Sequence, residues 1–379
     1  MTVINSIADL RAIAKRRVPK AIFEYVDHGS YDELTFGRNR SDFHALRFRQ
    51  KVLVDVRAQS MQREILGVTA NMPAVIAPTG LTGLVHRDGE ILAAQAAETF
   101  GIPFCLSTVS VCSIEDVREA TTAPFWFQLY VMKDRGYTAA LMDRAEAAGC
   151  PVLVLTVDIP VSGLRRRDAK NGLAVPPRLT LRNTLDIMTK PAWALGVMMG
   201  KRKTFGNLAA AVPHTGGMAT LSQWIASQFD ASVTWKDLEQ IRARWKGKLV
   251  VKGILDADDA RQAVALGADA VVVSNHGGRQ LDGAPSSIAA LPRVVEAVAG
   301  RGEVLLDGGI RSGQDILKSV ALGANAVMTG RAFLYGLGAR GREGVKMALD
   351  IMSGELKVSL ALTGCNDVRD ASPEILYRD

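Results

Sequence analysis

Apolar runs that predict buried strands alternate along the chain with segments whose apolar positions recur at helical spacing. Eight such runs are present, at residues 74–77, 103–108, 125–130, 152–158, 249–253, 270–275, 304–309 and 326–331. Helical patterns lie between them, at residues 90–100, 114–119, 137–148, 256–266, 288–298 and 314–322. Strands and helices in alternation predict a parallel sheet, and eight units over about 250 residues predict an α/β fold, a closed (β/α)8 TIM barrel.

A weak internal repeat supports the barrel. Gly253 and Gly309 lie 56 residues apart, and so do Gly267 and Gly323. Each copy runs from a strand through a helix to the tripeptide Leu-Gly-Ala, in which glycine is expected in the left-handed conformation that ends a helix. A doubly wound open sheet is the alternative, but no G-x-G-x-x-G sequence follows the first strand.

Two regions lie outside the repeat. Residues 1–65 precede the first strand and have helical patterns at residues 7–17 and 20–27. Residues 176–235 separate the fourth strand from the fifth, and a connection of this length is often functional. We therefore expect one domain over residues 1–379, with an N-terminal helical segment and a long insertion after the fourth strand.

Polar and ionisable residues stand at the ends of otherwise apolar strands. A barrel of this kind has its chemistry at the carboxyl ends of its strands. A single such residue commonly only caps its strand, whereas a set spread over the strand ends predicts an active site. The candidates are Pro78, Thr79, Gly80, Ser107, Gln128, Tyr130, Thr156, Asp158, Lys252, His276, Arg279, Asp307, Gly308, Gly309, Arg311, Gly330 and Arg331.

The most informative stretch is residues 274–282, SNHGGRQLD, directly after the sixth strand. Its glycines allow the backbone to approach a ligand closely. His276 can accept a proton near neutral pH, and the planar fork of Arg279 matches a carboxylate. A base beside a carboxylate clamp suits proton abstraction from a small carboxylic acid. The alternative, a capped loop with a structural histidine and a solvated arginine, is disfavoured by the strand and the two glycines.

Glycine and arginine occur together after both of the last two strands. The loops after strands seven and eight commonly bind phosphate in this fold. Glycine exposes backbone N–H groups, and arginine supplies charge-assisted hydrogen bonds. The pattern predicts that the cofactor or the substrate is a phosphate ester.

Composition adds mainly exclusions. The formal net charge of +7 is accompanied by no nucleic-acid-binding motif, so we expect no nucleic-acid partner. The cysteines and histidines show no spacing typical of metal ligands, and no metal is expected. No signal peptide or membrane-spanning run is visible, which favours a cytoplasmic protein.

Residues 178–203 of the insertion have the composition of a membrane-surface segment. Leu, Ile, Met and Trp193 are interleaved there with one acidic residue, Asp186, and six basic ones, Arg178, Arg182, Lys190, Lys201, Arg202 and Lys203. Basic and apolar residues together favour docking on an anionic membrane surface. A lid helix that packs on the barrel is the alternative.

These residues resemble the FMN-dependent L-2-hydroxy-acid dehydrogenases and oxidases. The resemblance extends from residues 19–25 (PKAIFEY) to residues 362–365 (LTGC), and residues 274–282 are its most specific motif. Residues 107–115 and 330–335 look most like the bacterial respiratory L-lactate dehydrogenases, and residues 218–245 also resemble mandelate dehydrogenases. Several plant-type oxidases have tryptophan at the position of Val109, so a pocket of different shape is expected here.

The resemblance implies a role for each candidate residue. His276 would take the substrate proton and Asp158 would stabilise its charged form. Arg279 and Arg165 would hold the carboxylate, assisted by Tyr25, and Tyr130 would bond the hydroxyl group. Lys252 would lie beside the N1 and O2 edge of the flavin. The implied FMN-binding residues are Pro78, Thr79, Gly80, Ser107, Gln128, Thr156, Lys252, Ser274, Asp307, Gly308, Gly309, Arg311, Gly330 and Arg331.

The implied function is FMN-dependent oxidation of an L-2-hydroxy acid, with L-lactate as the expected substrate. A quinone or a cytochrome would accept the electrons, and the protein would be a homo-oligomer on the cytoplasmic face of the inner membrane. The alternatives are an oxidase that reduces O2 to H2O2, a mandelate dehydrogenase, a flavin-dependent barrel isomerase, and a flavin-binding protein without catalysis.

Overall fold

The computed structural model describes residues 3–173, 180–202, 204–208 and 227–377. Among these residues a short antiparallel hairpin precedes an eight-stranded parallel sheet. The hairpin strands are β1 (Arg63–Ile65) and β2 (Val68–Ala70). The parallel strands are β3 (Ala74–Ile76), β4 (Cys105–Ser107), β5 (Trp126–Leu129), β6 (Val152–Thr156), β7 (Lys248–Ile254), β8 (Ala270–Val273), β9 (Glu303–Asp307) and β10 (Ala326–Thr329).

The parallel strands close on themselves. Each strand from β4 to β10 pairs with its sequence neighbour, and β10 pairs with β3. A bridge between Ile76 and Phe104 joins the start of the β4 region to β3, with Ile76 N donating to Pro103 O at 2.9 Å. The predicted (β/α)8 barrel is thereby confirmed, and the central residues of its strands are buried because helices cover the outer face.

Helices flank the strands on the outside of the barrel. Those before the barrel are α1 (Ile7–Arg17), α2 (Lys20–Asp27) and α3 (Leu34–Ala45). Those that follow are α4 (Thr82–Val85), α5 (Gly89–Phe100), α6 (Ile114–Ala120), α7 (Arg135–Ala147), α8 (Arg166–Lys170), α9 (Leu181–Met188), α10 (Pro191–Met199), α11 (Trp235–Arg244), α12 (Ala257–Ala265), α13 (Ser287–Val298), α14 (Gly313–Ala321) and α15 (Arg331–Leu362). The last of these bends at Gly341, where φ is 60°.

The repeat predicted from the glycine spacing has the expected geometry. Gly267 and Gly323 follow α12 and α14 in the left-handed region, with φ of 90° and 101°. Serine and aspartate side chains cap the starts of several outer helices, as Asp256 does for α12 and Ser312 for α14. The repeat is therefore a pair of equivalent βα units.

Sequence patterns missed two elements of the N-terminal segment. Helix α3 escaped notice because its buried positions include the polar residues Thr35 and Asn39, so its apolar face is interrupted. The β1–β2 hairpin is too short to show alternation. It lies against the amino ends of the barrel strands, where Leu66 N donates to Glu303 Oε1 at 2.9 Å.

Candidate active site

A cavity of about 580 Å³ lies at the carboxyl ends of the barrel strands. Every barrel strand, or the loop that follows it, contributes to the wall. Most predicted catalytic residues line this cavity, namely Tyr25, Tyr130, Arg165, Lys252, His276 and Arg279. Of the predicted FMN-binding residues, Ser107, Gln128, Thr156 and Ser274 are outside the wall that the described residues form, whereas the others line it.

His276 is oriented by Asp158. Its Nδ1 lies 3.0 and 3.1 Å from the two oxygens of that carboxylate. The backbone of His276 is left-handed, with φ of 57°, a conformation that costs about 1–3 kcal/mol and is typical of functional sites. Hydrogen bonds from His276 N to Ser274 Oγ and from Gly278 N to Asn275 Oδ1, both 3.0 Å, hold the loop in place. Because Nδ1 faces the carboxylate, Nε2 is left to act on a ligand.

Two guanidinium groups flank the ring of Tyr25. The Cζ atoms of Arg279 and Arg165 lie 4.7 and 5.7 Å from its centroid. Arg165 is tethered through Nε to Asp168 Oδ2 at 3.0 Å. Burial, and then the positive charge of Arg165, lower the pKa of Arg279. A buried cation beside another cation is stabilised by an anion, so this corner of the cavity suits a carboxylate.

Tyr130, directly after β5, also lines the cavity. Its ring meets Phe229 edge to face, with centroids 5.4 Å apart. Burial, reinforced by the charge of Asp158, raises the pKa of the Tyr130 phenol far above its usual value. The hydroxyl group therefore remains protonated and can donate a hydrogen bond to a ligand.

Lys252 is buried at the centre of the barrel. Its Nζ donates to Asp307 Oδ2 at 2.6 Å and to Ser274 Oγ at 2.9 Å. Burial favours the neutral amine, but the carboxylates of Asp307 and Asp158 outweigh it and raise the pKa of Lys252. A fixed positive charge thus faces the cavity. Asp307 and Ser274 both bond to this lysine, and of the two only Asp307 lines the cavity.

The glycine and arginine residues after β9 and β10 form an electropositive end of the cavity. The backbone of Gly309 requires glycine, because its φ is 87° and an added Cβ would lie 2.1 Å from Asn39 O. Burial, and then the charge of Arg311, lower the pKa of Arg331. Among the described residues Arg311 and Arg331 bond to backbone carbonyls and form no ion pair with a carboxylate. Two such cations beside the backbone of Gly308 and Gly309 fit a phosphate.

Arg331 is less free than the sequence suggested. Its guanidinium donates to Val26 O at 2.7 Å, and to Gly277 O and His28 O at 2.9 Å. Three of its five N–H groups are therefore occupied by backbone carbonyls. A role limited to holding phosphate does not account for this side chain.

Unpaired donors lie at other strand ends. Ser107 Oγ donates to Gln128 Oε1 at 3.0 Å, but Gln128 Nε2 and Thr156 Oγ1 are buried without a partner among the described residues. An unpaired buried polar group costs about 1–3 kcal/mol. Thr156 is the register partner of Lys252, so these donors surround the same central position. The cations at one end and the donors at the other fit the predicted FMN.

Sequence patterns missed the part of the wall that the insertion supplies. Phe229 is held by a bridge to Met132, and Lys133 N donates to Gln228 O at 2.9 Å. Phe205 also lines the cavity, and the neighbouring Asn207 anchors the insertion through hydrogen bonds to Ile114 N and Ser110 Oγ. The only signal of these contacts in the sequence was the length of the insertion.

The described part of the insertion exposes many apolar side chains. Helix α9 has no buried residue, and Leu181 and Met188 are 86% and 72% exposed. We call the exposed apolar side chains of α9 and α10 the apolar patch; its members are Leu181, Leu185, Met188, Leu195 and Met199. No helix of the described residues is long and apolar enough to cross a bilayer.

Two residues predicted to face lipid have other partners. Arg202 forms ion pairs with Asp88 and Asp116, each 2.8 Å, which fasten the insertion to the barrel. Trp193 Nε1 donates to Leu84 O at 2.9 Å, so its ring lies half-buried on the loop after β3. Arg178 and Lys203 lie outside the described residues. Of the described basic residues of this segment, Arg182 and Lys201 are exposed and can face a membrane, and Lys190 is half-buried.

Comparisons with known proteins agree with this geometry. The model of the FMN-dependent dehydrogenase family matches residues 14–378. L-lactate dehydrogenase of Caulobacter vibrioides (strain NA1000 / CB15N) is 48% identical over 375 residues, which are 99% of this chain and 98% of the relative. L-lactate dehydrogenase of Ectopseudomonas mendocina (strain ymp) is 47% identical over 378 residues and all of both chains. The crystal structure of the monotopic membrane protein (S)-mandelate dehydrogenase superposes with a TM-score of 0.95, at 39% identity over all of both chains.

Proposed function

We propose, because the chain belongs to the FMN-dependent dehydrogenase family, that it oxidises L-lactate to pyruvate and passes the electrons to a membrane quinone. Relatives named L-lactate dehydrogenase that match nearly the whole chain support this substrate. The observation that carries the proposal is the pairing of His276 with Asp158 beside the two guanidinium groups at Tyr25. Mandelate is the second candidate, favoured by the likeness to (S)-mandelate dehydrogenase.

The substrate carboxylate is proposed to bind between Arg279 and Arg165. Arginine recognises a carboxylate through two parallel N–H groups, and both side chains stack near Tyr25, which limits their motion. Tyr130, which also lines the cavity, would donate a hydrogen bond to the substrate hydroxyl group. Three fixed contacts would orient the Cα atom of the substrate toward the interior of the barrel.

His276 is proposed to take a proton from the substrate through Nε2. The Asp158 carboxylate on Nδ1 stabilises the imidazolium that results and fixes the plane of the ring. Lactate loses two electrons and two protons as it becomes pyruvate. His276 accepts one of these protons, and the two electrons and the second proton would pass to bound FMN.

FMN supplies the two-electron acceptor of this reaction when it is bound. Arg311, Arg331 and the backbone of Gly308 and Gly309 would hold its phosphate, and Gln128 and Thr156 would bond its ring. Lys252 would place a positive charge where negative charge develops, and Asp307 keeps that ammonium group protonated.

We propose that the protein lies on an anionic membrane surface through the apolar patch, with Arg182 and Lys201 facing the lipid head groups. Exposed leucine and methionine next to basic residues favour such docking. The solved relative described as a monotopic membrane protein supports it. A peripheral position on the cytoplasmic face of the inner membrane would follow.

A quinone is the favoured acceptor because the cavity wall is apolar on the side of the insertion. Leu84 lines the cavity, and its carbonyl group accepts the hydrogen bond from Trp193 of α10. Only one residue therefore separates the cavity from the helices that bear the apolar patch. An apolar acceptor dissolved in lipid would come close to the cofactor here, whereas a cytochrome would remain outside.

We further propose a homo-oligomer. A second group of exposed apolar side chains lies away from the insertion, where Lys51 N donates to Leu362 O at 3.1 Å. Its members are Val52, Leu53, Val54, Val358 and Leu362. Contiguous exposed apolar surface of this kind is typical of protein interfaces. Light scattering on the purified protein tests this, and a monomer would contradict it.

The central experiment is anaerobic mixing of the yellow protein with L-lactate, L-mandelate and other L-2-hydroxy acids. We expect L-lactate to bleach the flavin band at a lower concentration than any other acid tested. Subsequent addition of decylubiquinone should restore the band faster than air does, whereas rapid recovery in air would show an oxidase. Absence of bleaching by L-lactate would refute the proposed substrate.

A further inference from the structure

The C-terminal turn of α2 receives both arginine side chains that matter most in the cavity. Arg279 donates to Tyr25 O and, at 3.2 Å, to His28 O. Arg331 donates to Val26 O at 2.7 Å and to the same His28 O at 2.9 Å. The proposed carboxylate clamp and the proposed phosphate clamp thus share one anchor, which belongs to the N-terminal segment and not to the barrel.

The partners of both guanidinium groups in this turn are backbone carbonyls and not carboxylates. The last carbonyl groups of a helix lack intrahelical partners and carry partial negative charge. They satisfy N–H groups of the guanidinium without cancelling its formal charge. Each arginine is therefore held in place and still needs an anion, which a carboxylate partner would have supplied.

The turn itself is fixed by Asp27. This side chain is 3% exposed, and its Oδ1 accepts hydrogen bonds from Tyr335 Oη and Arg11 Nε, both 2.7 Å. Burial works to raise the pKa of Asp27, but the hydrogen bonds from Arg11 and Tyr335 outweigh it and lower the pKa. The carboxylate is thus charged, and it bonds with Arg11 and Tyr335 instead of with the two cavity arginines, although it lies in the same turn.

The same network reaches the loop of the catalytic histidine. Arg331 NH1 donates to Gly277 O at 2.9 Å, and Gly277 follows His276 directly. A Cβ on Gly277 would lie 2.7 Å from that nitrogen, so the loop and the guanidinium are in close contact. A shift of the α2 turn would therefore displace both clamps and the histidine loop together.

We propose that Asp27 is a positioning residue for both binding sites, acting through the C-terminal turn of α2. Asp27 is not part of the cavity wall formed by the described residues, so it acts through the residues that it holds in place. That the two sites bind a carboxylate and a phosphate rests on the proposed function, but the test of Asp27 does not depend on turnover.

The test measures two affinities in the Asp27→Asn variant. We expect the Kd of FMN for the apoprotein and the Kd of oxamate, a small carboxylate that is not oxidised, for the holoprotein each to rise about tenfold. The KM of L-lactate should rise with the oxamate Kd, and kcat should fall as well, because the loop of His276 is joined to Arg331 through Gly277 O. Tyr335→Phe should move both affinities in the same direction, and the double variant should show less than the sum of the two effects, because both changes break one network.

Glu303→Gln is the matched control. Glu303 is a carboxylate at the amino end of β9, far from the cavity, and its Oε1 accepts from Leu66 N. It should alter Tm without altering either Kd. Asp27 is not a shared positioning residue if Asp27→Asn changes only one of the two affinities, or neither of them. The same conclusion follows if Glu303→Gln, at an equal loss of Tm, changes both affinities as much as Asp27→Asn does. If L-lactate is not oxidised at all, the FMN and oxamate affinities still decide the matter.

Discussion

The strand-end cavity and the insertion after β6 treat charge in opposite ways. In the cavity the groups proposed to take part in the reaction are fixed by specific partners, as Lys252 is by Asp307 and His276 by Asp158. In the insertion Arg182 and Lys201 are exposed and lie near exposed leucine and methionine side chains. Chemistry requires atoms placed to within fractions of an ångström, whereas docking on lipid requires only charge and apolar area on one face. Substitutions should therefore affect catalysis in one region and location in the other.

The largest effect is expected from His276→Gln. Glutamine retains a polar side chain in the loop but cannot take the substrate proton, and loss of a general base costs about 10²–10⁴-fold in rate. Stopped-flow reduction of the flavin by L-lactate measures this, and FMN content by absorbance should remain at the wild-type level. Reduction within a few-fold of the wild-type rate would remove His276 from the proposed chemistry.

A smaller loss is expected from Arg279→Lys. Lysine keeps the charge but lacks the planar fork, and a lost charge-assisted hydrogen bond is worth about 1.5–3 kcal/mol, or roughly 10- to 100-fold in kcat/KM. The Kd of oxamate should rise in parallel. Unchanged values of both quantities would show that Arg279 does not hold the carboxylate.

Substitution of the exposed basic residues of the insertion should change membrane binding and leave catalysis unchanged. Replacing Arg182 and Lys201 together by glutamine removes about 1 kcal/mol of attraction for each charge, so binding to anionic vesicles should fall about 30-fold at low salt. Flavin reduction by L-lactate and turnover with a soluble dye should not change. Arg202→Gln is the informative contrast, because loss of its ion pairs with Asp88 and Asp116 should loosen the insertion and lower Tm. If replacing Arg182 and Lys201 lowers turnover with the soluble dye, the segment is a lid and not a membrane anchor.

The smallest effect concerns Glu90, a fully buried acid in α5 that joins two loops of the cavity wall. Its Oε1 accepts from Gly83 N at 3.1 Å and from Val111 N at 2.9 Å, and burial raises its pKa. An acid whose pKa is higher in the folded than in the unfolded state loses stability as pH rises above the unfolded value, about 4.5. Glu90→Gln keeps both hydrogen bonds but cannot ionise, so the stability of this variant should fall less as pH rises. Its Tm should be near that of the wild type at pH 4.5 and above it at pH 8. Equal slopes of Tm against pH in the two proteins would contradict the shifted pKa.

The barrel was predictable because its signal is local. Apolar runs such as residues 249–253 and the left-handed glycines Gly267 and Gly323 report directly on strands and helix ends. The residues named for the cavity came from strand ends and from a family resemblance, and the fold brings most of them together. What each residue touches depends on partners distant in sequence, which no local pattern contains.

Three cases show this limit. Arg331 was predicted to hold phosphate, but its bonds to Val26 and His28 span more than 300 positions of sequence. Arg202 has the composition of a lipid-facing residue, and its two carboxylate partners are visible only in the fold. Phe229 was not singled out because nothing near it in the chain indicates that the insertion returns to Tyr130.

The unpaired donors at Gln128 and Thr156 have a consequence for how much folded protein a cell can hold. Without a bound group, each leaves about 1–3 kcal/mol of desolvation uncompensated inside the barrel. FMN then acts as a folding ligand, and at a free concentration 1,000 times its Kd it adds about 4 kcal/mol to the stability of the native state. The supply of FMN would thereby govern the abundance of this protein, because the chain without FMN would be degraded, in addition to governing its activity.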